Sequence, residues 1–502
     1  MAGGGPSHEN GVTRSTPGTD PAGRGRGETR GLVMQVLASI TSSMANFCLA
    51  GSLSFGGVLA DQLTTEDADL NITKTQVSWV VSIFSIGSML GFIVSSYASP
   101  RLGAVRIMQL SSPAALAAWV VMAFSPSFWS LLAGRAMVGL FNGVCMGPAV
   151  AYMGEVSSVR IRGYLTTLPL VNGCMGVLAS YLFGWLVGWR HACLVMGAAP
   201  ALQFLMSLLL PRSAKWLISK GYPEEEAKRS LRFYQGEGFD ADGQIREIRE
   251  SLGGDHKHDA SVLEVLCLLR HRQNLVPFLL VLAMYMFFVF SGGSSTSSFA
   301  PVVFRDLGGF EDPYLGSILS GTVRVISTVV ALLIMDRVER RTLLMVNGIG
   351  GAAGCLATGL AFVYKAELAD HAWVPVLAVL VIVCLMSTGI CTVVFVMLSE
   401  LLPNAIRAEV GGVCLLFFGA ANFVMMYSFP LAVSRLGIPT VYWFFTGMHL
   451  LLFAFGKVCL PRTRGKSLEE IQKMFVKNIV LEVTEPVGIH VETNKAGDCT
   501  KL

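Results

Sequence analysis

Charge is what this chain has little of. Only 14% of its 502 residues are Asp, Glu, Lys or Arg, while 53% are hydrophobic and the mean hydropathy is +0.58. Soluble domains carry roughly a quarter charged residues, so a water-facing surface cannot be built around so much apolar mass. Run length excludes a soluble protein with an oversized core. Uncharged apolar stretches of about 20 residues, the length of a bilayer crossing, recur along nearly the whole chain. The chain is an integral membrane protein. Other absences narrow its chemistry. The eleven cysteines fall mostly inside apolar runs, as at Cys145, Cys174, Cys355 and Cys391. No spacing among them resembles a metal site or a disulfide framework, so buried free thiols are expected and no metal. There is no phosphate-binding glycine loop, which excludes direct ATP coupling. No nucleophile–base constellation is present, so no enzyme and no cofactor are expected. A net charge of +4 is too small to suggest a nucleic-acid partner. Residues 1–31, rich in Gly, Pro, Ser and Thr, lack a signal-peptide apolar core and are expected to be a disordered cytoplasmic N-terminus, with the first span as the insertion signal.

What is present are twelve apolar runs, near 35–60, 77–97, 107–124, 128–151, 166–188, 190–210, 275–303, 314–335, 342–363, 374–399, 410–433 and 440–460. A polar segment, 211–274, parts the sixth from the seventh. The expected fold is therefore all-α, with six-helix bundles at 32–210 and 275–460, a helical linker between them and a tail at 461–502. Basic residues set the orientation. Arg101, Arg106, Arg160, Arg162, Arg337, Arg340, Arg341 and Arg407 all fall on one side, and the linker from Pro211 to Gln273 adds eleven Lys and Arg. The first loop on the other side holds Asp61, Glu66, Asp67 and Asp69 against Lys74, together with the glycosylation sequon Asn71-Ile72-Thr73. Both termini and the linker are thus expected in the cytoplasm, and Asn71 outside as a glycan acceptor. Within the linker, 224–234 and 243–253 read as amphipathic helices. They are either a solvated connector or a cap on the cytoplasmic face.

The chain repeats a charged signature. Glu155 precedes Arg162 by seven positions after span four, and Glu400 precedes Arg407 by seven after span ten. A second echo pairs "SPRLGAVR" after span two with "MDRVERR" after span eight. Parallel repeats of this kind build transporters whose substrate sits at the midplane between halves. A carboxylate at the membrane boundary needs a partner, and an arginine supplies a forked one. We expect Glu155 and Arg162 with Arg337, Arg340 and Arg341, and Glu400 and Arg407 with Arg101, to latch the halves at the cytoplasmic side. Topology-setting charge alone accounts for the arginines but not for the repeated glutamates.

Over roughly 35–475 the chain resembles the sugar porters of the major facilitator superfamily, and within them the arthropod facilitated trehalose transporter-like branch. The resemblance rests on "GRAMVGLFNG" (134–143), Glu155 to Arg162-Gly163, Trp189-Arg190, "PRSAKWLISKG" (211–221), "DRVERR" (336–341), "SELLPNAIRA" (399–408) and "PRTRGKSLEEIQ" (461–472). It implies a plasma-membrane transporter, monomeric, that moves a small solute such as trehalose or a monosaccharide by alternating access. The sequence departs from the family at the sugar site. The family's Q-Q-x-S-G-x-N in span seven aligns with Phe288, Val289 and Ser294, its span-five glutamine with Leu170, its G-P-x-P-W with "CTVVF" ending at Phe395, and its Asn-Trp with Phe418-Gly419. Each desolvated sugar hydroxyl without a partner costs about 1–3 kcal/mol. Either other polar groups hold the sugar, or the solute is of another kind.

The polar residues that remain supply the candidates. "SGGSSTSS" in span seven offers Ser291, Ser294, Ser295 and Ser298 as binding hydroxyls, or as small residues for close packing. Arg324 stands near the middle of span eight, twelve residues or about 18 Å of helix from Asp336. It lines the cavity and favours an anionic solute, or it pairs with Asp306, Glu311 or Asp312. Phe288, Phe395, Asn142 and Asn172 complete the set, while Arg135 and His449 read as structural. The family's proton-coupled members carry an aspartate in span one. The matching stretch here, 46–59, has no acidic residue, so uniport is expected. A facilitator of a non-sugar anion and a non-transporting nutrient sensor are the alternative functions.

Overall fold

The computed structural model describes residues 21–64, 70–158, 160–254, 272–308, 312–335, 337–367, 371, 373–402, 407–464, 466, 470–471 and 474–475. Spans one to four are the helices Pro21–Gln62, Lys74–Leu102, Ala104–Ala123 and Phe128–Val156. The first begins at Pro21, inside the stretch expected to be irregular. A proline there has its φ preset and lacks an N–H that the first turn could not use. Thr73 caps span two, accepting from the Gln76 amide while the Gln76 side chain accepts from Thr73 in return. Spans five and six form one helical run, Leu168–Ser207, that turns at Gly188, where φ is 71°. That conformation is open to glycine and strained for other residues.

Span seven is broken into Arg272–Phe290, Gly293–Ser298 and Ala300–Leu307, with Gly292 at φ 89° in the first break. Span eight is Pro313–Ile334 and span nine Arg340–Val363. Span ten is Trp373–Thr388 and Ile390–Leu401 on either side of Gly389, and spans eleven and twelve are Arg407–Leu436 and Ile438–Val458. Among the described residues there are no strands.

Side chains on these helices face lipid and core alike, so packing relies on small residues that let backbones touch. Gly87 and Gly91 of span two meet Gly139 and Gly143 of span four. A Cβ at any of these glycines would run into a main-chain carbonyl of the facing helix. Span one packs on span five, span three on four and six, span nine on ten and twelve, and span seven on eleven. The halves touch mainly along two seams, span two against eleven and span five against eight, with span one also meeting span seven. Exchanging the halves converts one seam into the other, as duplicated bundles require.

The linker folds as Ala214–Ser219, Glu224–Gln235 and Ala241–Gly254. It is a cap on the N-terminal half rather than a solvated connector. Ala214, Leu217, Ala227 and Ile245 form its own small core. Tyr234 packs with Tyr152 and Val105 of the bundle, its carbonyl accepts from Gln35 Nε2 at 2.7 Å, and its hydroxyl lies 2.5 Å from that of Tyr152. Lys228 gathers Glu224, Glu225 and Asp242 at 3.3, 3.4 and 2.7 Å. Its hydrogen bonds hold the Glu224 and Asp242 carboxyls below their usual range, and they raise the ammonium in turn.

Candidate functional site

The break in span seven places a hydroxyl-rich turn at the seam. Ser291, Ser294, Ser295 and Ser298 are all buried, and the hydroxyls of Ser291 and Ser295 have no hydrogen-bond partner among the described residues. Ser297, absent from the expected set, carries the contacts. Its Oγ accepts from Arg324 Nη1 at 2.8 Å, and its carbonyl accepts from the Tyr181 hydroxyl of span five. Arg324 is half-buried, its other terminal nitrogen is 3.9 Å from Cys391 Sγ, and its Nε has no partner among the described residues. Close by, Cys174 Sγ of span five lies 3.3 Å from Thr328 Oγ1 of span eight.

Among the described residues Arg324 has no carboxylate partner. Asp312 accepts from Trp185 Nε1 and from the Tyr314 amide, while the Asp306 carbonyl takes Lys365. Glu311 lies outside the described residues. Arg324 therefore sits between the halves among hydroxyls, thiols and a phenol.

Phe288 and Phe395 fall together beside this turn. Phe288 stacks on Phe418 at 5.9 Å, and Tyr285 meets Phe418 at 5.4 Å and Phe395 at 6.1 Å. The Tyr285 hydroxyl is buried without a hydrogen-bond partner among the described residues. The two asparagines of the N-terminal half are engaged with span one. Asn142 Nδ2 donates to the Cys48 carbonyl at 3.2 Å and to Ser52 Oγ at 3.0 Å, and Asn172 Nδ2 to Ser43 Oγ at 2.5 Å. Arg135, fully buried, donates to the Ser52 carbonyl at 2.5 Å and lies over the Phe84 ring. A further bond crosses the seam from Asn422 Nδ2 to Ser85 Oγ at 2.8 Å.

The two ends of the seam differ. At the end away from the linker, Asp61 and Arg305 form a 2.7 Å ion pair across the halves. Gln62 Nε2 donates to the Tyr314 hydroxyl at 2.9 Å, and Trp185 Nε1 to Asp312 Oδ2 at 2.5 Å. At the linker end the latch residues whose side chains are described show no bond across the halves. Arg340 pairs with Glu400 at 3.0 Å within the C-terminal half. Arg341 donates to the Lys457 carbonyl, Arg162 to the Ser157 carbonyl at 3.1 Å, and Arg101 to the Tyr97 carbonyl at 2.8 Å. Arg337 is exposed, and Glu155 faces Ser213 and Lys215 of the linker. The Arg407 side chain and Asp336 lie outside the described residues. Asn71 is exposed, just before the cap of span two.

The sequence pattern described as "Sugar (and other) transporter" matches residues 32–475. The chain belongs to the sugar transporter family. Its curated relatives include the facilitated trehalose transporter Tret1 of Apis mellifera ligustica, 29% identical over 448 residues that cover 88% of each chain. The human solute carrier family 2, facilitated glucose transporter member 6, is 27% identical over 496 residues, covering 91% of this chain and 94% of that one. Among solved structures, the Escherichia coli xylose transporter XylE in a partially occluded inward open conformation has a TM-score of 0.73 at 20% identity, covering 87% of this chain and 99% of its own. The XylE proton:xylose symporter bound to 6-bromo-6-deoxy-D-glucose gives 0.72 at 22%. The protein is a multi-pass membrane transporter with the major facilitator fold.

Within this family frame, the residues missed from sequence share a cause. Tyr181, Asn422 and the pair Asp61–Arg305 make contacts between halves, as does the Ser297 carbonyl, at separations such as the 244 residues from Asp61 to Arg305. One signal was available. Asn422 is a lone amide inside an apolar run, four positions after the family's departed Asn-Trp.

Proposed function

We propose that the chain is a facilitative transporter that moves a sugar, trehalose or a monosaccharide, by alternating access between units 32–210 and 275–460. The observation that supports this reading most is the broken span seven. It presents unpaired hydroxyls of Ser291 and Ser295 beside Arg324 and the aromatic group of Phe288 and Phe395, at the seam of two pseudo-symmetric halves. Hydroxyls and a guanidinium can pair with sugar hydroxyls that the missing amides would otherwise have met, and the rings can lie against a pyranose face. In this reading Ser294, Ser298, Asn142 and Asn172 also serve the solute path. Uniport fits a span one whose stretch 46–59 has no acidic residue.

The linker face is the cytosolic one in this reading, with both termini inside and Asn71 outside as the glycan site of a plasma-membrane monomer. Contacts across the halves at the far face, with the linker-end charges unpaired across the seam, correspond to a pathway open toward the cytosol. Glu155, Arg162 and Arg101, with Arg337, Arg340, Arg341, Glu400 and Arg407, then draw together when that side closes. Reconstituted protein should take up labelled trehalose or glucose, at the same rate with and without an imposed pH gradient. Accumulation driven by the gradient would replace uniport by symport. Absence of uptake for every solute would favour a sensor.

A second reading is carried by Arg324. A guanidinium with no carboxylate partner among the described residues, half-buried at mid-span, favours a solute that brings negative charge. Uptake of a panel of organic anions and sugars by Arg324→Gln separates the two. Loss of anions alone supports the second reading, and an unchanged panel removes Arg324 from substrate selection.

A further inference from the structure

Away from the seam, a cavity of about 420 Å³ opens between the linker, the start of span three and the end of span six. It is the size of a small-molecule site. Its lining is cationic: Arg106 of span three, Arg212 and Arg229 of the linker, against the single carboxylate of Glu226. None of the three arginines has an ion pair among the described residues, and Arg106 and Arg229 are exposed. Arg212 is built into place. Its carbonyl accepts from Ser230 Oγ at 2.7 Å, and its guanidinium lies 5.4 Å from the Trp216 ring and 5.6 Å from that of Tyr222. Gln109 Nε2 is held by the Ser207 carbonyl at 3.2 Å, which ties the two spans together at the cavity wall.

What lies next to the cavity indicates the ligand. Leu110, Leu205, Leu208 and Leu209, on the same ends of spans three and six, are 63%, 60%, 55% and 65% exposed. Leucines that exposed at the end of a crossing belong against acyl chains. A cationic cavity at helix ends that expose leucines one position from its lining, Leu110 beside Gln109 and Leu209 beside Leu210, matches a molecule with a phosphorylated head and a hydrocarbon tail. Basic pockets between spans on the cytoplasmic side favour such lipids, and guanidinium groups fit phosphate oxygens in a forked geometry.

We propose that this cavity binds the phosphorylated headgroup of an anionic phospholipid, with Arg106, Arg212 and Arg229 on the phosphates and the acyl chains along the four leucines. The leaflet assigned to it rests on the cytosolic placement of the linker proposed above. A lipid seated there bridges span three, span six and the linker, so it stabilises the docked cap on the N-terminal half.

The test uses the full-length protein in neutral detergent, with dioctanoyl phosphatidylinositol 4-phosphate as probe. Dioctanoyl phosphatidylcholine, inositol 1,4-bisphosphate and inorganic phosphate are the comparators. The probe should bind saturably, and Arg106→Gln with Arg229→Gln should weaken it about thirtyfold, the worth of two basic residues at an anionic surface. Arg160→Gln with Arg246→Gln removes the same charge elsewhere and should leave affinity unchanged, as phosphatidylcholine should leave the cavity empty. Arg229→Glu, a single change on an exposed helix, should lose at least as much and serves where the double variant does not fold. Equal loss in both double variants would reduce the site to diffuse attraction. Inositol bisphosphate or phosphate binding as tightly as the lipid would make it a soluble-phosphate site, and absence of saturable binding would end the proposal. Binding in detergent does not depend on sidedness. Thiol accessibility that put the linker outside would overturn the topology alone.

Discussion

Asp61 and Arg305 face each other at 2.7 Å across the two halves, the carboxylate buried and the guanidinium about one-third exposed. With Gln62–Tyr314 and Trp185–Asp312 they close the end of the seam away from the linker. Removing one partner leaves the other charge short of its match. Asp61→Asn should therefore shift the population toward states open at that end. Labelling of the seam thiol Cys174 by an impermeant maleimide added from that side should rise several-fold. Labelling equal to wild type would mean the pair does not hold the halves.

Glu400 and Arg340 form an ion pair that is mostly buried inside the C-terminal half. Glu400→Gln takes the partner from Arg340 and should destabilise that half by on the order of 2 kcal/mol. A drop in melting temperature should accompany it in detergent, with Arg340→Met in the Glu400→Gln background recovering part of the loss. Additive losses in the double variant would show that the two groups act independently.

The glycine contact between spans two and four has no room for a side chain. Gly139→Leu should cost about 1–3 kcal/mol or more from overpacking. Reduced yield of monodisperse protein measures it. Gly154→Leu, with nothing nearby to meet its Cβ, is the matched control.

The Lys228 cluster gives the linker a pH dependence whose sign can be worked out. Glu224 and Asp242 are held below their ordinary values in the fold, so their contribution is complete above the unfolded carboxylate range, about pH 4. It is lost as pH falls through the lower folded values. The melting-temperature gap between wild type and Lys228→Met should be present at pH 7 and close as the pH drops below that range. A gap that persists in acid would show that the effect is packing by the Lys228 stem.

Most of the fold was legible because lipid imposes one rule on every span: about 20 apolar residues with charge at the ends. Even the turn between spans five and six fell where the apolar runs were divided, at Gly188. The linker helices were legible from their amphipathic pattern, and their docking was not, because Tyr234 and Gln35 meet only once the bundle exists. The site was half legible. Arg324 stood out as a charge in apolar surroundings, and its setting depended on Ser297 and Tyr181, hydroxyls that look ordinary in sequence. Latch residues were placed by spacing along the chain, yet Glu400 found Arg340, sixty positions away, through folded geometry.

The interruption at Gly292 leaves span seven answering to two masters. Its longer piece, Arg272–Phe290, leans on spans ten and eleven, whereas Gly293–Ser298 and Ala300–Leu307 pack on span eight of the same half and also touch span one, bond Tyr181 and carry Arg305 to Asp61. A rod so jointed can bend its outer arm, which both bundles grip, while the inner arm stays with one. Cargo lodged at the elbow is then felt by both bodies at once.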